Sequence, residues 1–127
     1  MARHRIFVLD DEKSILFALS EYFRGRGYVV DCAQTYEQGK QLLERRSYSL
    51  VILDLHLTPE AENQGLEIVD LVREKSQATR IIMLTACGSP EIENAARTRG
   101  VDVFLQKPKP LSSLASIAST LLEDQRS

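Results

Sequence analysis

Two kinds of hydrophobic pattern alternate along the chain. Short, nearly continuous apolar runs at Ile6-Phe7-Val8-Leu9, Val51-Ile52-Leu53, Ile81-Ile82-Met83-Leu84 and Val101 to Leu105 have the form of strands buried on both faces of a sheet. A more mixed run from Tyr28 to Cys32 adds a further strand, and the Val51 run reads on through Asp54 to Leu57. Between these runs apolar residues recur at helical spacing. The first such face is Ile15, Leu16, Ala18, Leu19, Tyr22 and Phe23, the second centres on Leu42 and Leu43, and the third is Leu66, Ile68, Val69, Leu71 and Val72. A fourth helix opens at Ser89-Pro90, a capping hydroxyl before proline at the first helical position, and stops at Gly100. The last carries Leu111, Leu114, Ile117, Ala118 and Leu121. Thr35-Tyr36-Glu37-Gln38 has the spacing of a capping box, and Arg24-Gly25-Arg26-Gly27 supplies cations and a glycine stop. Thr58 to Gly65 reads as a polar loop, too long for a tight turn.

Strict alternation of strand and helix carries the chain back to the same edge after each strand, so the strands must pair in parallel through right-handed crossovers. The predicted fold is α/β, a three-layer doubly wound parallel sheet of five strands with helices on both faces. In such a sheet all strand C-termini share one rim, and ligands bind there, where strand order reverses.

Composition narrows the function classes. A chain of 127 residues, 43% hydrophobic and 27% charged, suits one soluble domain spanning residues 1–127. A net charge of −2 argues against direct nucleic-acid binding. Met1 to Arg5 leads straight into the first strand without a signal-peptide core, and no apolar window reaches the length of a membrane span, so a cytoplasmic location without membrane contact is expected. Cys32 and Cys87 lack metal-ligand or CxxC spacing and read as reduced thiols, and His4 and His56 as solvent-facing side chains.

Candidate chemistry lies where polar residues end apolar runs. Asp10-Asp11-Glu12 follows the first strand, Asp54 stands in the third, Thr85 follows the fourth, and Lys107 lies just past the fifth. Asp10 also suits a helix cap, but Asp11 beside it makes two caps redundant. Carboxylates gathered at one rim repel by several kcal/mol, roughly, at an effective dielectric near 20. A hard divalent cation relieves this, and Mg²⁺ suits one or two carboxylates plus phosphate oxygens. Lys107 and Thr85 would hold two oxygens of an incoming phosphoryl group, making the site fit for transfer to Asp54.

Ile6 to Glu12, Val51 to Asp54, Leu84-Thr85-Ala86 and Lys107-Pro108 resemble the signature positions of response-regulator receiver domains. The resemblance implies a flavodoxin-like sheet of strand order 2-1-3-4-5. It implies that Asp54 accepts a phosphoryl group from a sensor histidine kinase, a phosphotransfer protein or a small donor. Asp10, Asp11, Asp54 and the carbonyl of His56 would organise Mg²⁺, and Thr85 and Lys107 would read the phosphorylated state. Phe104 matches an aromatic switch position. The partner downstream would be a protein target or a fused output domain, and the domain would be a phosphoacceptor switch rather than an enzyme.

The sequence also departs from that pattern. Pro59 and Gly65 lie five and eleven residues after Asp54, where family members commonly have them four and eight on, so the loop 58–65 is expected to be enlarged by about three residues. Lys109-Pro110 replaces a usual aromatic, and Val103 an acid common in relatives that dimerise through the fourth helix, fifth strand and fifth helix. A flavin-binding carrier shares the topology, but Asp10-Asp11-Glu12 would repel its phosphate. A phosphatase of the haloacid dehalogenase type wants a second Asp where this chain has His56. The remaining alternative is a receiver-fold interaction module working with little or no phosphorylation.

Overall fold

The apolar runs form β1 (Arg5–Leu9), β2 (Val29–Ala33), β3 (Leu50–Leu55), β4 (Arg80–Thr85) and β5 (Val103–Gln106) in a computed structural model of the chain. The periodic segments form α1 (Lys13–Arg24), α2 (Tyr36–Arg45), α3 (Pro59–Lys75), α4 (Pro90–Thr98) and α5 (Leu111–Glu123). The structure describes residues 4–55, 59–85, 89–106 and 110–123. All strand pairs are parallel and the order is β2-β1-β3-β4-β5, as expected.

Both faces of the sheet are covered, which is why the central strands carry no polar alternation. Phe7, Val51, Leu53, Ile81 and Met83 pack on one side with Leu43 of α2, Ile68 and Val72 of α3, and Ala96 of α4. Ile6, Val8, Leu50, Ile52, Ile82 and Leu84 pack on the other with Leu16 and Phe23 of α1 and Leu114 and Ala118 of α5. No helix among the described residues is long and apolar enough to cross a membrane.

Local chemistry sets the element ends. Thr35 Oγ1 accepts the N–H of Gln38 at 3.1 Å, but the Gln38 side chain accepts from the N–H of Gln34, one residue before the position a capping box requires. Ser89 Oγ accepts from the N–H of Ile92 with Pro90 in the first turn, as expected. Of the two glycines after α1, Gly27 is the left-handed turn residue, with φ +93°, while Gly25 is the right-handed C-cap. Paired bonds close the turn, from Gly27 N–H to Arg24 O and from Tyr28 N–H to Phe23 O. The latter bond takes the amide of Tyr28, so β2 starts one residue later than predicted. Likewise β5 starts at Val103, because the Val101 N–H bonds back to Ala96 O in the corresponding turn at Gly100.

The largest correction concerns the loop 58–65. From Pro59 onward it is helix, the first two turns of α3. Proline at the first helical position followed by Glu60, Ala61, Glu62 and Gln64 satisfies first-turn preferences for proline and acids. The polar composition that suggested a loop marks a helix start. Thr58 and the predicted end of the third strand, His56-Leu57, lie outside the described residues.

Away from the strand C-termini, charged side chains bind the elements together. Asp31 of β2 pairs with Arg46 and Arg5 and accepts the Tyr48 hydroxyl at 2.8 Å, and burial together with that bond pushes the Tyr48 phenol well above its usual range. Lys75 Nζ donates to the carbonyls of Leu43 and Arg46 at the end of α2. His4, expected to face solvent, is half-buried with Nδ1 2.9 Å from Ser49 Oγ.

Gly27 offers a direct check on the α1 turn, since a Cβ there meets nothing within 4 Å and any cost must come from the backbone. Gly27→Ala should lower stability in urea unfolding by about 1–2 kcal/mol, and Gly27→Asn by less. Equal losses for the two variants would contradict a left-handed turn residue.

Candidate functional site

Asp10, Asp54 and Thr85 all reach the same rim, and the register says how. Leu9 of β1 lies level with Leu53 of β3, so the residues that follow, Asp10 and Asp54, are neighbours across the two central strands. The β1–β2 ladder continues for one residue, with Asp10 N–H on Ala33 O at 3.1 Å. Strand alternation therefore turns Asp10 with Val8, and Asp54 with Ile52, toward the α1 and α5 side. Both are buried, at 1% and 8% exposure. Thr85, at 1%, is the last residue of β4, level with Leu55 and with Gln106 at the end of β5. By the same alternation it goes with Ile81 and Met83, toward α3 and α4.

The cap reading of Asp10 does not survive. Its Oδ1 accepts the N–H of Glu12 at 2.9 Å in a local turn, whereas the residue that caps α1 is Glu12 itself, whose side chain makes no capping bond. Asp11, next to it, is exposed. Oδ2 of Asp10 and Oδ1 of Asp54 are both shielded from solvent. Neighbouring strands lie about 4.8 Å apart. Two carboxylates at about 5 Å repel by about 3 kcal/mol at an effective dielectric near 20.

Hard oxygen donors, two of them buried side by side at an open sheet edge, fit a Mg²⁺ ion that takes one or two carboxylates and completes its shell with water or phosphate oxygens. Among the described residues no group of three or more His, Cys, Asp and Glu side chains forms a ready-made metal cage. The predicted carbonyl ligand His56 and the predicted cation Lys107 both lie outside the described residues, as does Cys87.

A family model for the response regulator receiver domain matches residues 6–119. The chain belongs to that family. Its receiver is 28% identical over 111 residues to the photosynthetic apparatus regulatory protein RegA of Rhodobacter capsulatus, covering 87% of this chain and 59% of that protein. A CheY-like receiver domain protein from Methanospirillum hungatei has the same fold, with TM-score 0.87, 24% identity and coverage of 98% and 97% of the two chains. The BeF3-activated DrrB receiver domain matches at TM-score 0.80 and 27% identity, covering 96% of this chain and 99% of that one. The chain spans 39% to 59% of the length of the curated regulators it matches, RegA and PfeR among them. Receivers are phosphoacceptor switches of two-component systems and generally bind Mg²⁺ at an acidic pocket.

Phe104, the residue matched to the aromatic switch position, lies on β5. Phe104 lies level with Met83 on β4 and packs against the core on the α3 and α4 side, the same side as Thr85. Sequence reading missed Asp102 and Arg73, which meet at the opposite rim. The available signal was a charged residue at each of two strand starts, Arg80 and Asp102.

The carboxylate pair has a measurable consequence. Without divalent cations, Asp10→Asn, which keeps an acceptor for the Glu12 N–H, should stabilise the receiver by about 1–3 kcal/mol in urea unfolding. With saturating Mg²⁺ the gain should shrink or reverse. A destabilised variant in the absence of cations would show that the two carboxylates do not oppose each other.

Proposed function

We propose that Asp54 is the phosphoacceptor of a cytoplasmic response regulator, and that Asp10, Asp11 and the carbonyl of His56 join it in holding Mg²⁺. The observation that carries this reading is the burial of Asp54 beside Asp10 at the ligand-binding rim of the sheet, two hard oxygen donors placed to share one divalent cation. A carboxylate oxygen of Asp54 attacks the phosphorus of a phosphohistidine or of acetyl phosphate. The P–N or P–O bond breaks, its electron pair leaves with the donor, and an acyl phosphate forms on Asp54. When bound, Mg²⁺ neutralises charge on the transferring oxygens.

The chain's own groups do the rest. Buried Asp10 keeps Asp54 an anion-rich neighbour and so favours cation binding. Lys107 supplies a fixed positive charge to the phosphoryl oxygens. The Thr85 hydroxyl, on the α4 side of the sheet, swings around the rim to donate to one of them, and the space it leaves is taken up by the Phe104 ring. Because phenylalanine has no hydroxyl to keep in water, its ring already rests on the core before phosphorylation. The donor is a sensor histidine kinase or a phosphotransfer protein. The receiver of the activated state acts on a downstream protein or on an output domain in the same polypeptide, without itself binding nucleic acid. A second reading, an interaction module that works with little phosphorylation, draws on the enlarged segment after Asp54, where about three extra residues join the start of α3.

Beryllium fluoride with Mg²⁺ separates the two readings, followed by amide and side-chain NMR. Shifts should centre on Asp54 and Thr85, be smaller at Phe104, and vanish in Asp54→Asn. Thr85→Ala should keep the response at Asp54 and lose it at Phe104. Absence of any response at Asp54 would favour the interaction module, and a Phe104 response that survives Thr85→Ala would disprove the coupling.

A further inference from the structure

Building on the switch role given to Thr85 above, we propose that Arg73 is a pin for the C-terminal end of α4, so that changes arising at the phosphoryl site move the other end of that helix.

The two ends of α4 are held very differently. At its C-terminal end Gly100 has φ +104° and closes the helix, with its own N–H on Arg97 O and the Val101 N–H on Ala96 O. The carbonyl of Gly100 accepts from Nε of Arg73 at 3.2 Å and from Nη2 at 2.7 Å. The same guanidinium reaches Asp102 Oδ2 at 3.1 Å through Nη2, and Thr79 O at 2.6 Å through Nη1. Asp102 is itself fixed by the Ile81 N–H at 2.8 Å and by Arg80. One planar fork thus joins the ends of α3 and α4 to the starts of β4 and β5, and its side chain is only 14% exposed. A Cβ on Gly100 would lie 2.7 Å from Arg73 Nε, so only glycine admits the guanidinium.

Among the described residues the N-terminal half of α4 is held by its Ser89 cap and by partly buried Ile92 and Ala95, with no side-chain fork comparable to Arg73. Pro90, Glu91 and Asn94 are exposed, Ile92 is partly buried, and the buried residue of the helix, Ala96, lies beside the pinned end. A rod fixed at one end and lightly packed at the other is a lever. Its loose end follows β4, which ends at Thr85, and its fixed end lies at the opposite rim. The clamp makes β5 and the end of α4 a fixed frame against which that motion registers.

Hydrogen exchange on the whole chain, read by NMR without any phosphate analogue, tests the pin. Helices ordinarily fray at their ends. Here the Gly100 and Val101 amides should be better protected than Glu93, and Arg73→Ala should lower their protection by about tenfold or more and reverse the order. Arg73→Lys, which keeps charge and stem but loses the fork, serves if the alanine variant does not fold, and should show the same reversal with a smaller drop. Beryllium fluoride with Mg²⁺ then supplies a readout that loss of stability alone would not move. In the unsubstituted protein the induced shifts should be large at Ile92 and small at Gly100, and in Arg73→Lys they should spread to Gly100 while those at Asp54 stay the same. Unchanged protection in both variants, or equal shifts at Ile92 and Gly100 in the unsubstituted protein, overturns the pin. If beryllium fluoride shifts nothing at Asp54, the acceptor assignment fails, and the exchange result still decides the pin.

Discussion

Like charges forced together at the edge of a parallel sheet are the constraint on which the rest of this receiver turns. Asp10 and Asp54 are level with one another because β1 and β3 pair in register, and both are buried. Their mutual repulsion opposes folding and is relieved by a cation. A hard divalent cation bound between two such carboxylates would offset that repulsion.

Elsewhere in the sheet, acids are held by charged partners among the described residues. Midway along β2, Asp31 is matched by Arg5, Arg46 and Tyr48, and just before β5 Asp102 is matched by Arg73, Arg80 and a backbone N–H. Each of these acids has opposite charge and donors around it, so the cost of partial burial is offset in place. Thr85 and Phe104 share the α3 and α4 face, on neighbouring strands β4 and β5, which is the placement the proposed coupling needs.

Most of this architecture was legible in the sequence because it follows from periodicity. Unbroken apolar runs such as Ile81 to Leu84 specify doubly covered strands, and strand–helix alternation then fixes parallel pairing and a shared rim. Asp10, Asp54 and Thr85 were visible as polar residues ending or interrupting those runs. Three features were not. The first turns of α3 were misread because acids and proline favour both loops and helix starts, and only the helix dipole distinguishes them. Gly25 and Gly27 differ by conformation and not by residue type, so the true turn glycine could not be chosen from composition. The Arg73–Asp102 clamp joins residues 29 apart through a geometry that no local pattern records.

The most direct test of the account is covalent. The receiver, incubated with acetyl phosphate in the presence of Mg²⁺ or of a chelator, can be digested and its peptides mapped by mass spectrometry. The account predicts one phosphoryl group, carried by Asp54, formed with Mg²⁺ and absent with the chelator or in Asp54→Asn. Equal incorporation in Asp54→Asn, or incorporation at Asp54 that is indifferent to the metal, would contradict it.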